Sequence, residues 1–463
     1  MSPVTTDPQR TLFAPHALLP GGWAANVLLA WGADGTLAQV DSGVAAPAGV
    51  ERAGGVLIPG LPNLHSHAFQ RAFAGLAEYR AQAADSFWTW RDLMYRFALA
   101  VSPEQVEQIA THLYIEMLRA GYTSVCEFQY IHHDPAGRPY AERAEISLRL
   151  LAAAQRAGIG LTLLPVLYRH SGFGALPPRA DQRRFLDDAG GLLRIVERLR
   201  REGVRVGVAP HSLRAVAPAD LAALLEGLDA LDASAPVHIH VAEQQQEVQD
   251  CIAWSGARPV AWLLDHAPVD PRWCLVHATH MDSTEAAAVA RCGTVVGLCP
   301  STEANLGDGV FDASGYLRQG GRWGIGSDSH ASVDAAEELR LLEYGQRLAQ
   351  RQRNVLAFGV DAQVADALWL GAVDGGARAA GRAVGGLAVG QQADLVVLAD
   401  ALIDSLAPAQ VLASLVFANH GRGFIRDVWV GGRLRVQNGR HAADEAAARG
   451  FVAARTQLLA EIR

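Results

Sequence analysis

Between residues 57 and 375 the chain alternates between two hydrophobic rhythms. Short apolar runs rich in Val, Ile and Leu stop at polar residues, and longer stretches carry apolar residues at every third or fourth position. The short runs are VLIPGLPNLHSH, TSVCEFQY, LTLLPVLYRH, VRVGVAPHS, PVHIHVAE, WCLVHATH, TVVGLCPS and RWGIGSDSH, eight in all. Near-continuous apolar runs of this kind are what strands buried on both faces require. Helical patterns separate them, such as PEQVEQIATHLYIEMLRAG, with Pro103 near its start and Gly121 at its end. That placement follows the preference for proline at helix starts and glycine at helix stops. Eight strand-then-helix units predict an α/β fold, a (β/α)8 barrel of the TIM type.

The two ends of the chain have short, strand-like runs broken by turn residues. Residues 10–56 hold TLFAPHALL, NVLLAWG and TLAQVDSG; residues 386–441 hold LAVGQQADLVVLAD and IRDVWVGGRLRVQNGRH. In the last of these, VWV and LRV flank Gly431 and Gly432 as the arms of a hairpin. The expected organisation is therefore a barrel over 57–375, and a small β-sandwich domain built from 1–56 and 376–463. Residues 442–463 read as an amphipathic helix.

Composition narrows the partners. Of 463 residues half are apolar and 19% are charged; the net charge is −8, and all 40 basic residues are arginines. The arginines are scattered among acidic neighbours, so no basic stripe points to nucleic acid. No apolar stretch reaches the ~18 residues of a membrane span. Five cysteines, an odd number without a C-x-x-C pair, fit a reducing compartment better than a disulfide framework. The first residues, MSPVTTDPQRTLF, lack the basic-then-apolar pattern of a secretory signal. A cytoplasmic protein acting on a small molecule is the expectation.

The chemistry lies where the barrel strands end. His65 and His67 form a His-X-His pair; in an extended strand residues i and i+2 face the same side, so both can meet one ion. His240 ends the fifth run and Asp328 the eighth. Three imidazoles and a carboxylate, leaving a position for water, suit a catalytic zinc ion, and the set also accommodates iron or manganese. Two-metal barrel hydrolases commonly bridge their ions with a modified lysine, and this chain has no lysine, so one metal is expected. Glu243, three residues past His240, is placed to shuttle protons over the ion's open face. As a carboxylate at a helix start it also fits a purely local role. His277 ends the sixth run, as a group polarising the reacting carbon or orienting the nucleophile. Asp328 has two parts, metal ligand and base for the attacking water.

These motifs carry a likeness. PGLPNLHSHAFQR, APHSLRA, HIHVAEQ, LVHATH, LCPSTEANLGDG, GIGSDSH and GGLAVGQQADLVVL together resemble the amidohydrolase superfamily in its single-zinc, deaminase-type branch, over nearly the whole chain. Within that branch HSHAFQRAFAGLAE, SFWTWRDLMYR, EFQYIHHD and APHSLRAV are similar to the enzymes that deiminate N-formimino-L-glutamate in histidine breakdown. The resemblance implies one zinc per chain, a homodimer, and Gln70, Arg91, Tyr130, His211 and Arg214 as substrate contacts. A linear substrate with two carboxylates explains two arginines, since a guanidinium pairs a carboxylate bidentately. Trp88 and Trp90 would wall Arg91. Arg91 could instead pair with Asp92 or Asp85, and Tyr130 could be a packed aromatic. Thr302, Glu303 and Asn305 are expected to shape the pocket floor or to support the residues around it, without a catalytic role. Two rivals stand: a deaminase of an aromatic ring such as guanine, an adenosine derivative or a triazine, which would use the same metal residues; and a barrel that only binds, which would have lost a ligand or Glu243.

Overall fold

The computed structural model describes residues 10–78, 87–359, 361–418 and 424–462. Its centre is eight parallel strands: β1 (Leu61–Ser66), β2 (Tyr122–Gln129), β3 (Gly160–Leu167), β4 (two pieces, Arg205–Val206 and Ala209–Pro210), β5 (Val237–Val241), β6 (Trp273–His277), β7 (Val295–Leu298) and β8 (Arg322–Ile325). They form two continuous parallel runs, β1 to β4 and β5 to β8. Single bridges close the ring: Val208 to Val237 and Ser212 to His240 on one side, Ser66 to Asp328 on the other. The second closure joins the His-X-His strand to the aspartate strand. It is reinforced by Asn63, whose side chain donates to Ser327 Oγ (2.6 Å) and accepts from Ser327 N (3.1 Å). Gly326 is required there, because a Cβ would lie 2.7 Å from His65 Cβ.

Leu64, Cys274, Val276, Val295 and Cys299 fill the barrel interior, all essentially inaccessible to solvent. The surrounding helices bury one stripe each. In Pro103–Arg119 the buried positions include Val106, Ile109, Ala110, Leu113, Met117 and Leu118, the three-and-four spacing of an amphipathic helix. Ser102 caps it by accepting from Gln105 N, and the Gln105 side chain accepts from Ser102 N in return. Such a cap is worth ~1 kcal/mol.

Strands from both chain ends join in one nine-stranded sheet. Its order runs from Arg440–His441 through Arg433–Gln437, Ile425–Val430, Leu395–Leu398, Val56–Pro59, Arg10–Leu19 and Gly22–Trp31 to Leu37–Asp41. The hairpin turns at Gly431 (φ 53°) and Gly432 (φ 68°), as the Gly-Gly pair requires. The first apolar run divides at Gly60: Val56–Pro59 pairs antiparallel with Leu395–Leu398 in this sheet, and only Leu61 onward enters the barrel. The C-terminal helix spans Asp444–Glu461 and packs on Pro103–Arg119. All five cysteines are free, four of them buried. Among the described residues no helix is long and apolar enough to cross a membrane.

Candidate active site

β1 places His65 and His67 on the same rim, and both are buried. Nε2 of His65 lies 3.1 Å from Nε2 of His67 and 3.0 Å from Nε2 of His240. Asp328 Oδ1 is 3.4 Å from His65 Nε2 and 3.3 Å from His67 Nε2. The four ligand atoms thus converge on one point. The tautomers follow from the other ring nitrogens. His67 Nδ1 faces the Phe128 carbonyl at 3.0 Å and His240 Nδ1 faces the His211 carbonyl at 3.1 Å. A carbonyl only accepts, so Nδ1 carries the proton in both rings and the Nε2 lone pairs point inward. Burial, the largest influence, holds all three imidazoles below their ordinary range, which keeps them neutral. Neutral lone pairs aimed at each other across about 3 Å, with a carboxylate beside them, are a repulsive arrangement that a divalent cation resolves. The donor set therefore fits a metal ion.

Two of the strand-end residues adopt left-handed backbone conformations: His277 (φ 66°) and Asp328 (φ 45°). Non-glycine residues rarely do so, and such strain concentrates at functional sites. The turn brings His277 Nε2 to 3.6 Å from Asp328 Oδ2 and 3.8 Å from Glu243 Oε1, so the imidazole stands between the two carboxylates. On its far side Nδ1 donates to Glu303 Oε1 at 3.2 Å, and that oxygen also accepts Cys299 N at 2.8 Å. Burial works against a charge on His277, but Glu243, Glu303 and Asp328 outweigh it and raise its pKa to about 10. Glu243 is raised by burial, with the charges of His277 and Arg214 pulling the other way.

The cavity above these groups holds about 610 Å³, part of it open to solvent. Gln70, Arg91, Tyr130, His211 and Arg214 all line it, together with Trp90. Gln70 donates to the Tyr130 hydroxyl at 3.0 Å and leaves its buried carbonyl oxygen without a partner. Arg91 lies over the Tyr95 ring at 5.5 Å, while Asp92 faces Arg179 at 3.5 Å. Asp85 and the Trp88 side chain lie outside the described residues. Burial first, then the Arg214 charge, keeps His211 neutral.

Several functional neighbours are visible only in three dimensions. Glu247, 1% exposed, accepts the Glu243 backbone N–H (3.1 Å) on one oxygen and faces Arg214 Nε at 4.0 Å with the other. Glu127 accepts from Ser66 Oγ (2.6 Å), Ala68 N (2.7 Å) and Tyr114 OH (3.0 Å), clasping the His-X-His strand from behind. Burial pushes its pKa up to about 7. Asp308 accepts from the Gln244 amide, and burial, then Glu243, raise it to about 9. Glu303, expected to shape the floor or to support the residues around it, anchors His277. No local pattern marks Glu247, a glutamate in the first turn of Gln245–Ser255, where solvated acids are ordinary.

Comparisons with known proteins give the chain's relatives. The amidohydrolase family model matches residues 56–435, and a model described as the N-terminal domain of formimidoylglutamate deiminase HutF matches residues 9–54. A formimidoylglutamate deiminase of Pseudomonas aeruginosa is 54% identical over 97% of this chain and 99% of its own. A 5-methylthioadenosine/S-adenosylhomocysteine deaminase of Haloarcula marismortui is 28% identical over 79% of this chain and 78% of its own. The crystal structure of an amidohydrolase from Brucella melitensis superposes with a TM-score of 0.92 at 49% identity, covering 97% of this chain and 100% of that one.

Proposed function

The chain belongs to the amidohydrolase family, and from that footing we propose that it hydrolyses N-formimino-L-glutamate to N-formyl-L-glutamate and ammonia, a step of histidine degradation. The observation that carries this is the joint presence of a metal-fitting His65–His67–His240–Asp328 cluster and two cavity-lining arginines, Arg91 and Arg214. The deaminases of ring substrates in the same superfamily need the first feature; a linear dicarboxylate needs both.

We assign the roles as follows. His65, His67, His240 and Asp328 hold one divalent cation, zinc by the preference of imidazole-rich tetrahedral sites. When bound, it supplies the Lewis acidity that makes water a competent nucleophile near neutral pH. Asp328 has one oxygen facing the imidazoles and the other facing His277 and the cavity, so the second can take the proton of the attacking water. Water adds to the formimino carbon as Asp328 takes one of its protons. Glu243 gives its proton to the imine nitrogen, collects the hydroxyl proton of the tetrahedral adduct and passes it to the same nitrogen. The C–N bond breaks to release ammonia as the hydroxyl oxygen becomes the formyl carbonyl, and the proton held by Asp328 then returns to Glu243. His277, held by Glu303, steadies the developing charge and keeps Asp328 and Glu243 apart. Arg91 and Arg214 grip the two carboxylates, with Gln70, Tyr130 and His211 completing the wall. A cytoplasmic homodimer is the working state we propose.

The test is ammonia release from a panel: N-formimino-L-glutamate, N-formimino-L-aspartate, guanine, adenosine and 5-methylthioadenosine. Turnover confined to the formimino acids supports the proposal; comparable turnover of a purine overturns it.

A further inference from the structure

At the opposite end of the barrel from the metal cluster, where β3 and β4 begin, a groove opens against the strand Arg433–Gln437. Arg205, Arg382, Arg433 and Arg435 all line it, and Glu202 is its one carboxylate. Glu202 is already engaged by Arg198 at 2.5 Å, and Arg205 is shared with Asp232 at 3.1 Å. Arg382 reaches a backbone carbonyl, that of Leu161 at 3.2 Å. Among the described residues none of Arg382, Arg433 and Arg435 forms an ion pair within 4.0 Å, and Arg382 feels only the more distant Asp394, in a molecule whose net charge is −8. The Nε atoms of Arg205, Arg382 and Arg435 are buried and lack any acceptor.

The backbone is shaped around these side chains. A Cβ on Gly158 (φ 74°) would sit 2.5 Å from Arg435 Nε. On Gly160 it would sit 3.0 Å from Arg382 Nη2, and on Gly381 (φ 59°) 3.0 Å from Arg205 Nε. Three glycines therefore leave room for three guanidinium groups in one depression. Burial, then the charge of Arg433, holds Arg435 below its ordinary range.

We propose that this groove is a binding site for a compact multivalent oxyanion of the phosphate class. Guanidinium forks match phosphate oxygens bidentately, and four of them line one depression that holds a single carboxylate. The site lies apart from Arg91 and Arg214, so its occupancy is independent of the substrate carboxylates.

The experiment is titration calorimetry of the metal-loaded full-length protein in physiological chloride, with the active site saturated by N-formyl-L-glutamate. Inorganic phosphate is the first probe and glutarate the second. One phosphate per chain is expected, with a Kd of about 1 mM or tighter. Arg433→Gln/Arg435→Gln should weaken it at least ~10-fold, while Arg433→Lys/Arg435→Lys recovers only part of that loss, because an ammonium restores the charge without the fork. Arg433 is exposed on a hairpin strand, so unchanged deiminase turnover of the Gln variant reports an intact fold. Absence of phosphate binding, glutarate binding in its place, or phosphate binding indifferent to the Gln variant would each overturn the proposal.

Discussion

Replacing Arg214 by Met separates substrate recognition from structural support in one residue. Its side chain is 15% exposed and lies 3.9 Å from Glu243 Oε2 and 4.0 Å from Glu247 Oε1. A hydrogen bond from a desolvated guanidinium to a substrate carboxylate is worth ~1.5–3 kcal/mol, which predicts a ~10- to 150-fold fall in kcat/KM. The same change leaves Glu247 buried beside no cation. Breaking one partner of a buried pair costs ~3–5 kcal/mol in well-paired cases, and the 4.0 Å separation places this pair at the low end. Arg214→Met/Glu247→Met should therefore recover thermal stability without recovering kcat/KM. The assay is steady-state ammonia release with three substrates: N-formimino-L-glutamate, N-formimino-2-aminobutyrate (no side-chain carboxylate) and N-formimino-4-aminobutyrate (no α-carboxylate). Wild-type protein should discriminate against both truncated compounds. The Arg214 variant should be indifferent to the loss of one carboxylate, and Arg91→Met to the loss of the other. If both variants discriminate as wild type does, or Arg214→Met keeps kcat/KM within threefold, the recognition scheme is wrong.

Three further outcomes follow from the same geometry. Glu243→Gln should keep its metal, measured by elemental analysis, while kcat falls ~10²- to 10⁴-fold, the range for a lost proton shuttle; near-normal turnover would remove Glu243 from the mechanism. Glu127 is raised to about 7 from an ordinary 4.5. Its contribution to stability is thus full below pH 4.5 and is lost as pH rises through 7. Glu127→Gln should flatten the decline of melting temperature between slightly acidic and slightly alkaline buffer, and an unchanged slope would refute this. Cys292 is the one cysteine not fully buried, so a thiol reagent should titrate it first in the native protein, with the other four reacting only on unfolding.

Much of this was legible in the sequence because barrels write their chemistry at strand ends. The runs ending in HSH, HIH, LVH and GSD each stop where the backbone leaves the barrel, and each terminal side chain lies at the metal cluster or the cavity above it. The domain junction was less legible. VLIPGLPNLHSH reads as one strand because its hydrophobicity is continuous, but Gly60 passes the chain from one sheet to the other. β4 was visible as VRVGVAPHS, though Gly207 and Val208 divide it into two short pieces. Glu247, Glu127 and Asp308 were not legible at all. Their significance comes from burial against residues distant in the chain, such as Arg214, Ser66 and Gln244, and the periodicity of their own helix, strand and loop carries no trace of that.

The most direct test of the central claim is a crystal structure of Glu243→Gln soaked with N-formimino-L-glutamate, with anomalous data collected at the zinc edge. One ion bonded to His65, His67, His240 and Asp328 is predicted, with the formimino carbon beside it and the substrate carboxylates on Arg91 and Arg214. An ion held by other residues, or a substrate whose carboxylates point away from both arginines, would contradict the account.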